Sequence, residues 1–132
     1  MQKMLRDVSW FIVVGCAAAA THWLIAVASV AVLNFAPLLA NLVGWLVAFF
    51  VSFSGHYLLT FRHQPKKLLV SLGRFFLVSA GGFLINELAY AYLLQTTTIP
   101  YDLLLAEILV GIAVLTFIVS RLWAFRHKPA AS

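Results

Sequence analysis

Long apolar runs separated by short polar breaks fill this chain. Residues 9–61 contain no Asp, Glu, Lys or Arg, and the stretch 34–37 interrupts them with Asn and Pro, which favour a turn. A second polar break covers residues 95–102. Because a helix needs about 20 apolar residues to cross a bilayer, the pattern predicts four transmembrane helices. Their predicted ranges are about 9–33, 37–60, 74–94 and 102–124.

Composition agrees with this pattern. Hydrophobic residues make up 64% of the 132 residues and charged residues only 10%, whereas a soluble domain carries about 25% charged residues. Four spans with short loops use nearly the whole chain. The sequence therefore predicts an all-α integral membrane protein with one domain, residues 1–132.

The basic residues are distributed unevenly over the predicted loops. Both ends of the chain and the middle loop carry them, while the loops near 34–37 and 95–102 carry none. Since Lys and Arg collect in short cytoplasmic loops, we expect both termini and the middle loop to be cytoplasmic. The basic residues flank spans and form no soluble module, so nucleic acid is not an expected partner.

The two halves of the chain align at an offset of 64 residues. Phe61-Arg62-His63 then meets Phe125-Arg126-His127, and small residues at 15–18 meet small residues at 79–82. This predicts a duplicated helical hairpin, with parallel repeats at about 9–65 and 73–129.

The repeated Phe-Arg-His ending has two interpretations. It is typical of the boundary at which a span stops, with Phe at the hydrocarbon edge and Arg in the headgroup layer. Alternatively, the planar guanidinium binds the phosphate of an anionic lipid. On the second interpretation a basic ring at one membrane face binds the lipid phosphate, and its candidate residues are Arg62, Arg126, Arg121, Arg74 and Lys66.

Polar side chains also occur inside the predicted spans. At about 1.5 Å per residue, most of them fall between the bilayer centre and its outer third, and one lies nearer the cytoplasmic edge. Ionisable residues at such depths are costly and usually functional, although hydrogen bonding between helices is a simpler explanation. The predicted polar cavity, for a headgroup or a proton, comprises Glu87, Asn86, Asn41, Glu107, His22 and His56.

The sequence carries no motif for the common metal, nucleotide-binding or catalytic sites. The His residues have no paired spacing, Cys16 is the single cysteine, and no nucleotide-binding loop or Ser-His-Asp arrangement is evident. The predicted middle loop is too short for a catalytic domain. We therefore expect no enzyme activity, no cofactor and no metal.

The order of these features resembles the GtrA-like family of small four-helix bacterial membrane proteins. The matching segments are VGCAAAATHW (14–23), LLANLVGWLVAFFVSF (38–53), LLTFR (58–62), RFFLVSAGGFLIN (74–86) and SRLWAFR (120–126). Together they cover nearly all of the chain, and Asn41, Gly44 and His22-Trp23 fit the family pattern.

The resemblance implies a function and partners. Such proteins are implied to move polyprenyl-phosphate-linked sugars, for example on undecaprenyl phosphate, across the bacterial inner membrane for polysaccharide biosynthesis in the cell envelope. This flippase role implies a membrane glycosyltransferase as partner, with Trp10, Trp23 and Trp45 available to stack on sugar. Because four helices enclose little volume, we also expect a homo-oligomer, a dimer in the simplest case.

Two alternatives stay open at this point. One is a non-transporting accessory that anchors a glycosyltransferase. The other is a proton-coupled exporter of small molecules, which also uses four short helices and a membrane carboxylate. The exporter is disfavoured because its carboxylate lies in the first helix, where this chain has none.

Overall fold

Four α-helices make up the described part of the chain. The computed structural model describes residues 1–60 and 68–119. The helices are α1 (Gln2–Ala31), α2 (Pro37–Gly55), α3 (Leu68–Thr96) and α4 (Tyr101–Val119). After α2, the backbone continues as a π-helical turn, His56–Thr60. The predicted all-helical fold is confirmed, and the predicted end of α4 lies outside the described residues.

Two helices begin earlier than the sequence predicted. α1 starts at Gln2 instead of residue 9, and α3 starts at Leu68 instead of residue 74. The predicted starts lie two residues after Asp7 and at Arg74, next to the charged residues, but Lys and Arg are good helix formers. Charge therefore marks the edge of a span and does not end a helix.

The turns between the helices contain the residue types from which their positions are predicted. Asn34 adopts a left-handed backbone conformation with φ of 58°, which Asn tolerates better than most residues. The Phe35 amide donates to the Ser29 carbonyl at 3.1 Å, closing the end of α1. Pro37 then occupies the first turn of α2, where its missing N–H costs nothing. At the start of α4, the Leu103 amide donates to Asp102 Oδ1 at 2.9 Å.

Three of the described helical segments are long and apolar enough to cross a membrane. They are Gln2–Ala31, Pro37–Leu59 and Leu72–Thr96, which have mean hydropathies of 2.0, 1.8 and 1.4. That α4 forms a fourth span stays a prediction.

The helices pack in a ring, in which each contacts the next and α4 returns to α1. The indole N–H of Trp23 donates to the Asp102 carbonyl at 2.9 Å, which ties the late part of α1 to the start of α4. The connections 32–36 and 97–100 therefore lie at the same end of the bundle, here called the turn end. We call the opposite end, where α1 begins and α2 stops, the open end.

The turn end holds the apolar core. Tyr90, Leu104 and Leu105 are each 1% exposed, and Ala26 and Ile108 complete this cluster. α3 and α4 supply the large side chains, and α1 supplies a small one. The core therefore fixes α4 against the other helices at this end of the bundle.

Small residues bring α1 and α2 together. Ala40, Gly44 and Ala48 follow one another at four-residue spacing along α2, and all three are buried. This small-xxx-small spacing lets two membrane helices approach closely. A Cβ placed on Gly44 would lie 2.6 Å from the His22 carbonyl oxygen, and one on Gly55 would lie 2.6 Å from Val14 Cγ1.

The buried positions of the two halves correspond at the 64-residue offset. In the described second half, the buried residues are Asn86, Tyr90, Leu104, Leu105 and Ile108. The positions 64 residues earlier are His22, Ala26, Ala40, Asn41 and Gly44, and each of these is buried as well. The correspondence supports the duplicated hairpin, which stays a prediction.

Candidate functional site: a polar cluster between three helices

Asn41 is the centre of a hydrogen-bonded cluster inside the apolar bundle. Its side chain is fully buried and contacts polar groups on both α1 and α3. The Nε2 atom of His22 lies 2.6 Å from Asn41 Oδ1. Asn41 Nδ2 donates to Asn86 Oδ1 at 2.7 Å and to Glu87 Oε1 at 3.3 Å. One amide thus joins three helices.

The directions of these bonds fix the roles of the groups. An amide oxygen can only accept a hydrogen bond. The Asn41 amide is oriented by its two acceptors on α3, so its oxygen points towards α1. His22 must then donate to it from Nε2–H, which assigns the neutral ring to the Nε2–H tautomer. A proton on the imidazole at one side of the cluster is thereby linked, through one amide, to the carboxyl group of Glu87 at the other.

Glu87 is the member of the cluster with most access to its surroundings. His22 is 6% exposed and Asn86 is 3% exposed, whereas Glu87 is only half-buried and is held by the longest of the three bonds. The other three side chains hold their polar groups within the bundle. Glu87 is therefore the group through which this cluster can reach a ligand or a proton.

The close approach of α1 and α2 positions the cluster. Gly44 lies three residues after Asn41, on the same face of α2. Because Gly44 has no side chain, the backbone of α1 at His22 lies directly against α2. The imidazole is thus brought within hydrogen-bonding distance of the amide.

Towards the open end, the faces that carry the cluster are left uncovered. Gly82 lies one turn from Asn86, and Gly15 lies two turns from His22. Among the described residues, no atom lies within 4 Å of a Cβ built on either glycine. Leu115 lies two turns beyond the buried Ile108 on α4, yet it is 59% exposed. In the described part of the chain, these positions of α1, α3 and α4 on the open-end side of the polar cluster are therefore not packed against another helix.

Aromatic rings form a second group, at the other side of the open end. The ring of His56 lies 4.9 Å from that of Phe11 and 5.8 Å from that of Phe75, measured between centroids. Phe49 and Phe53 continue this group between α2 and α3. His56 lies 15 residues after Asn41, roughly 20 Å along the helix. The structure thus places His56 in an aromatic cluster and not in the polar one.

Glu107 does not join the polar cluster either, although its predicted depth is similar. The side chain is exposed on α4. It makes no hydrogen bond or ion pair with the described residues. The depth of a residue in the bilayer follows from its position in the sequence, but the direction of its side chain depends on how the helix is rotated about its axis. In α4, Leu104 and Ile108 face the core instead. The structure therefore does not bring Glu107 into the polar cluster, and its place in a polar cavity stays a prediction.

The predicted basic ring lies mostly outside the described residues. This applies to Arg62, Lys66, Arg121 and Arg126. Arg74 is exposed on α3, about 18 Å along the helix from Asn86 and towards the open end. Its position is compatible with a phosphate-binding role, and the ring as a whole stays a prediction.

Two of the three tryptophans predicted to stack on sugar are engaged within the bundle. The N–H of Trp23 donates to the Asp102 carbonyl. Trp45 donates to Ser79 Oγ at 2.9 Å and stacks on Phe83 with 4.8 Å between ring centroids. Both therefore stabilise contacts between helices.

Gly44 is the residue whose role the sequence reasoning missed. Gly44 fits the family pattern, but the sequence pattern alone assigns no contact to it. The four-residue spacing of Ala40, Gly44 and Ala48 is the signal that predicts a close helix pair. The same spacing places Asn41 beside that contact.

A family model described as "GtrA/DPMS, transmembrane domain" matches residues 10–125, which include all four members of the cluster. The chain belongs to this family. No curated protein and no solved structure matches it. Family membership and the long apolar helices together show that this GtrA/DPMS protein is a multi-pass membrane protein. Family membership also supports a membrane role related to polyprenyl-phosphate-linked sugars. Among its described residues, no three His, Cys, Asp or Glu side chains are placed to hold a metal ion.

Proposed function

We propose that this protein moves a polyprenyl-phosphate-linked sugar across the bacterial cytoplasmic membrane, and that the polar cluster around Asn41 is part of the route. The sugar serves cell-surface polysaccharide glycosylation, and a membrane glycosyltransferase loads the lipid or uses the sugar. In this proposal the chain itself catalyses no reaction. The observation that carries it is the convergence of His22, Asn41 and Glu87 from three apolar helices.

The physical requirement for this function is a polar path through hydrocarbon. A sugar hydroxyl without a hydrogen-bond partner costs several kcal/mol in an apolar medium. The half-buried carboxyl group of Glu87 offers hydrogen-bond acceptors between apolar helices, so it can replace water around a sugar hydroxyl. The exposed aliphatic side chains near Glu87 on α3, such as Leu84 and Leu88, suit the isoprenoid chain.

The phosphate needs a different site, at the membrane surface. We place it at the basic ring of Arg62, Arg126 and their neighbours, on the cytoplasmic side, with both termini on that side. The proposed orientation rests on the positive residues of the termini and of the middle loop. It puts the open end of the bundle on the same side as the ring.

Glu87→Gln is expected to lower the translocation rate at least about tenfold while leaving protein levels in the membrane unchanged. The amide retains the shape and can still accept from Asn41, but it removes the charge and the proton site. The measurement is translocation of a polyprenyl-phosphate-linked sugar in proteoliposomes containing only the purified protein. Glu107→Gln is the matched control, since it makes the same change at a similar depth but away from the cluster. Equal rates for the two variants would assign Glu87 a packing role.

One observation favours the accessory function as the second candidate. In the described part of the chain, no buried side-chain nitrogen or oxygen lacks a hydrogen-bond partner. A cluster in which every buried polar atom has a hydrogen-bond partner is also accounted for by a purely structural role, namely holding the helices together. Folded protein that gives no translocation above empty liposomes, but co-purifies with a glycosyltransferase, would establish this candidate instead.

The double variant Arg62→Ala/Arg126→Ala is expected to weaken binding of polyprenyl phosphate about tenfold or more. In this proposal each guanidinium donates paired hydrogen bonds to phosphate oxygens, and alanine removes them. Since neither residue lies in the predicted apolar spans, we expect the variant to insert into the membrane as before. Binding is measured on the purified protein in detergent, with Lys3→Ala/Arg6→Ala as a control that removes two other basic residues. Unchanged binding in the Arg variant would contradict the phosphate site.

A further inference from the structure

The polar cluster joins two ionisable side chains through one buried amide. His22 Nε2 lies 2.6 Å from Asn41 Oδ1, and Asn41 Nδ2 donates to Glu87 Oε1 at 3.3 Å. Asn41 itself is fully buried. The two ionisable groups belong to α1 and α3, and both helices are long and apolar enough to cross a membrane. The pair therefore lies inside two candidate spans, at opposite ends of the same amide.

Each of the two ionisable groups keeps one atom that can take up a proton. When Nε2–H donates to Asn41, the neutral ring of His22 has its lone pair on Nδ1. Among the described residues, neither Nδ1 of His22 nor Oε2 of Glu87 has a hydrogen-bond partner. No fully buried side-chain nitrogen or oxygen in the same part of the chain lacks a partner, so both atoms keep some access to their surroundings. A proton can therefore bind at either end of the amide.

The hydrogen bonds of Asn41 are compatible with a proton at either end. Nε2–H of His22 donates to the Asn41 oxygen in the neutral ring and in the imidazolium alike. A carboxyl oxygen of Glu87 accepts from the Asn41 amide whether or not the carboxyl group is protonated. Moving one proton from Glu87 to Nδ1 of His22 thus requires no reorientation of Asn41.

The net charge of the pair favours one bound proton. Neutral imidazole with carboxylate has a net charge of minus one, and imidazolium with carboxylic acid has a net charge of plus one. Only the two arrangements with a single proton are neutral, and a net charge inside an apolar span is costly. We propose that His22 and Glu87 together hold one exchangeable proton at neutral pH, distributed between Nδ1 and the carboxyl group across the Asn41 amide. This inference does not rest on the proposed transport function.

The surrounding helices bring no further titratable group into hydrogen-bonding contact with the pair within the described part of the chain. α2 carries none. On α3, Tyr90 lies one turn from Glu87, and its hydroxyl donates to a backbone carbonyl of α4, so it keeps its proton. On α4, Asp102 accepts from the amide of the next residue, and Glu107 is exposed. On α1, Cys16 is exposed, and the described basic residues of α1 and α3 lie towards the open end. The proton is therefore assigned to His22 and Glu87.

Counting the protons on the two groups tests the proposal. Glu107→Gln is the starting variant, because it leaves Glu87 as the only glutamate of the chain. The protein is isotope-labelled in glutamate and histidine and reconstituted in uncharged lipid. Infrared spectroscopy then measures the protonated fraction of Glu87, and NMR measures the imidazolium fraction of His22, whose signals are those lost in His22→Gln or retained when the other histidines are changed. At about pH 7.5 we expect the two fractions to sum to about one, whereas independent groups with ordinary titration would sum to about 0.1.

Removing one member shows whether the proton is held jointly. At the same pH, His22→Gln is expected to raise the protonated fraction of Glu87 to about one. Glu87→Gln is expected to lower the imidazolium fraction of His22 below about 0.1, because each change leaves one neutral arrangement. His56→Gln is the matched control, since it removes a histidine outside the cluster, and it should change neither fraction.

The sum of the two fractions is measured without any substitution in the cluster, so it decides the question even where a cluster variant fails to fold. The proposal is overturned if that sum stays below about one half. It is also overturned if His22→Gln leaves the protonated fraction of Glu87 unchanged, or if Glu87→Gln leaves the imidazolium fraction of His22 unchanged, because the two groups would then bind protons independently.

Discussion

Asn41→Leu is expected to lower the free energy of unfolding by about 2–4 kcal/mol and to abolish transport. The substitution removes hydrogen bonds to His22, Asn86 and Glu87 in one step. In a membrane protein such bonds average about 0.6 kcal/mol each, so three amount to about 2 kcal/mol, and the partners left without a hydrogen bond add to that loss. Unfolding in mixed micelles with increasing denaturing detergent measures the stability loss.

Asn41→Asp is the informative companion to the leucine variant. Aspartate keeps an oxygen that accepts from His22, but it replaces the donating NH₂ with an oxygen that faces Asn86 Oδ1 and Glu87. We therefore expect a destabilisation as large as that of leucine. An Asp variant as stable as the original chain would show that the Asn41 amide is oriented the other way. A loss below about 0.5 kcal/mol for Asn41→Leu would contradict the cluster's role in holding the helices together.

Gly44→Ala is expected to destabilise the protein by about 1–3 kcal/mol, the usual cost of overpacking a close contact. The added methyl would lie 2.6 Å from the His22 carbonyl oxygen. Since that oxygen belongs to the backbone, α1 as a whole must shift. The shift lengthens the bond between His22 and Asn41, so we expect reduced transport as well as reduced stability.

Two further variants make the Gly44 prediction specific. Gly81→Ala introduces the same methyl group where no described atom lies within 4 Å, and its stability should be unchanged or higher. In the double variant Gly44→Ala/Asn41→Leu, the losses should be less than additive, because both changes weaken the same bond. Additive losses would mean that Gly44 does not act through the position of His22.

The sequence predicted where the helices lie but not how they are rotated. Asn34, Pro37 and Pro100 have strong local preferences, so the turns could be located from residue type. Glu87 and Glu107 were predicted at similar depths, and the structure turns one towards the cluster and the other outward. Both belong to helices that are apolar on nearly every side, and such helices carry little periodic signal of which face is buried.

The members of the polar cluster were recognisable individually, and their arrangement was not. His22, Asn41 and Asn86 stood out because polar residues are rare in apolar spans. The contact of Asn41 with His22 follows from the distance between α1 and α2, which Gly44 sets. Its contacts with Asn86 and Glu87 follow from the packing of α3 against α2. Contacts of this kind depend on tertiary packing, so the hydropathy pattern does not contain them.

At three of the five paired buried positions, the residue of the first half is much smaller than that of the second. At the paired positions the first half has Ala26, Ala40 and Gly44, where the second half has Tyr90, Leu104 and Ile108. In mechanical terms, the first hairpin is a rigid unit, because the backbones of α1 and α2 contact each other directly. In the second hairpin, bulky buried side chains lie between α4 and its neighbours. If this molecule rocks, we expect α1 and α2 to move together as one rigid unit, while α4 pivots about its turn end, where the buried core holds it.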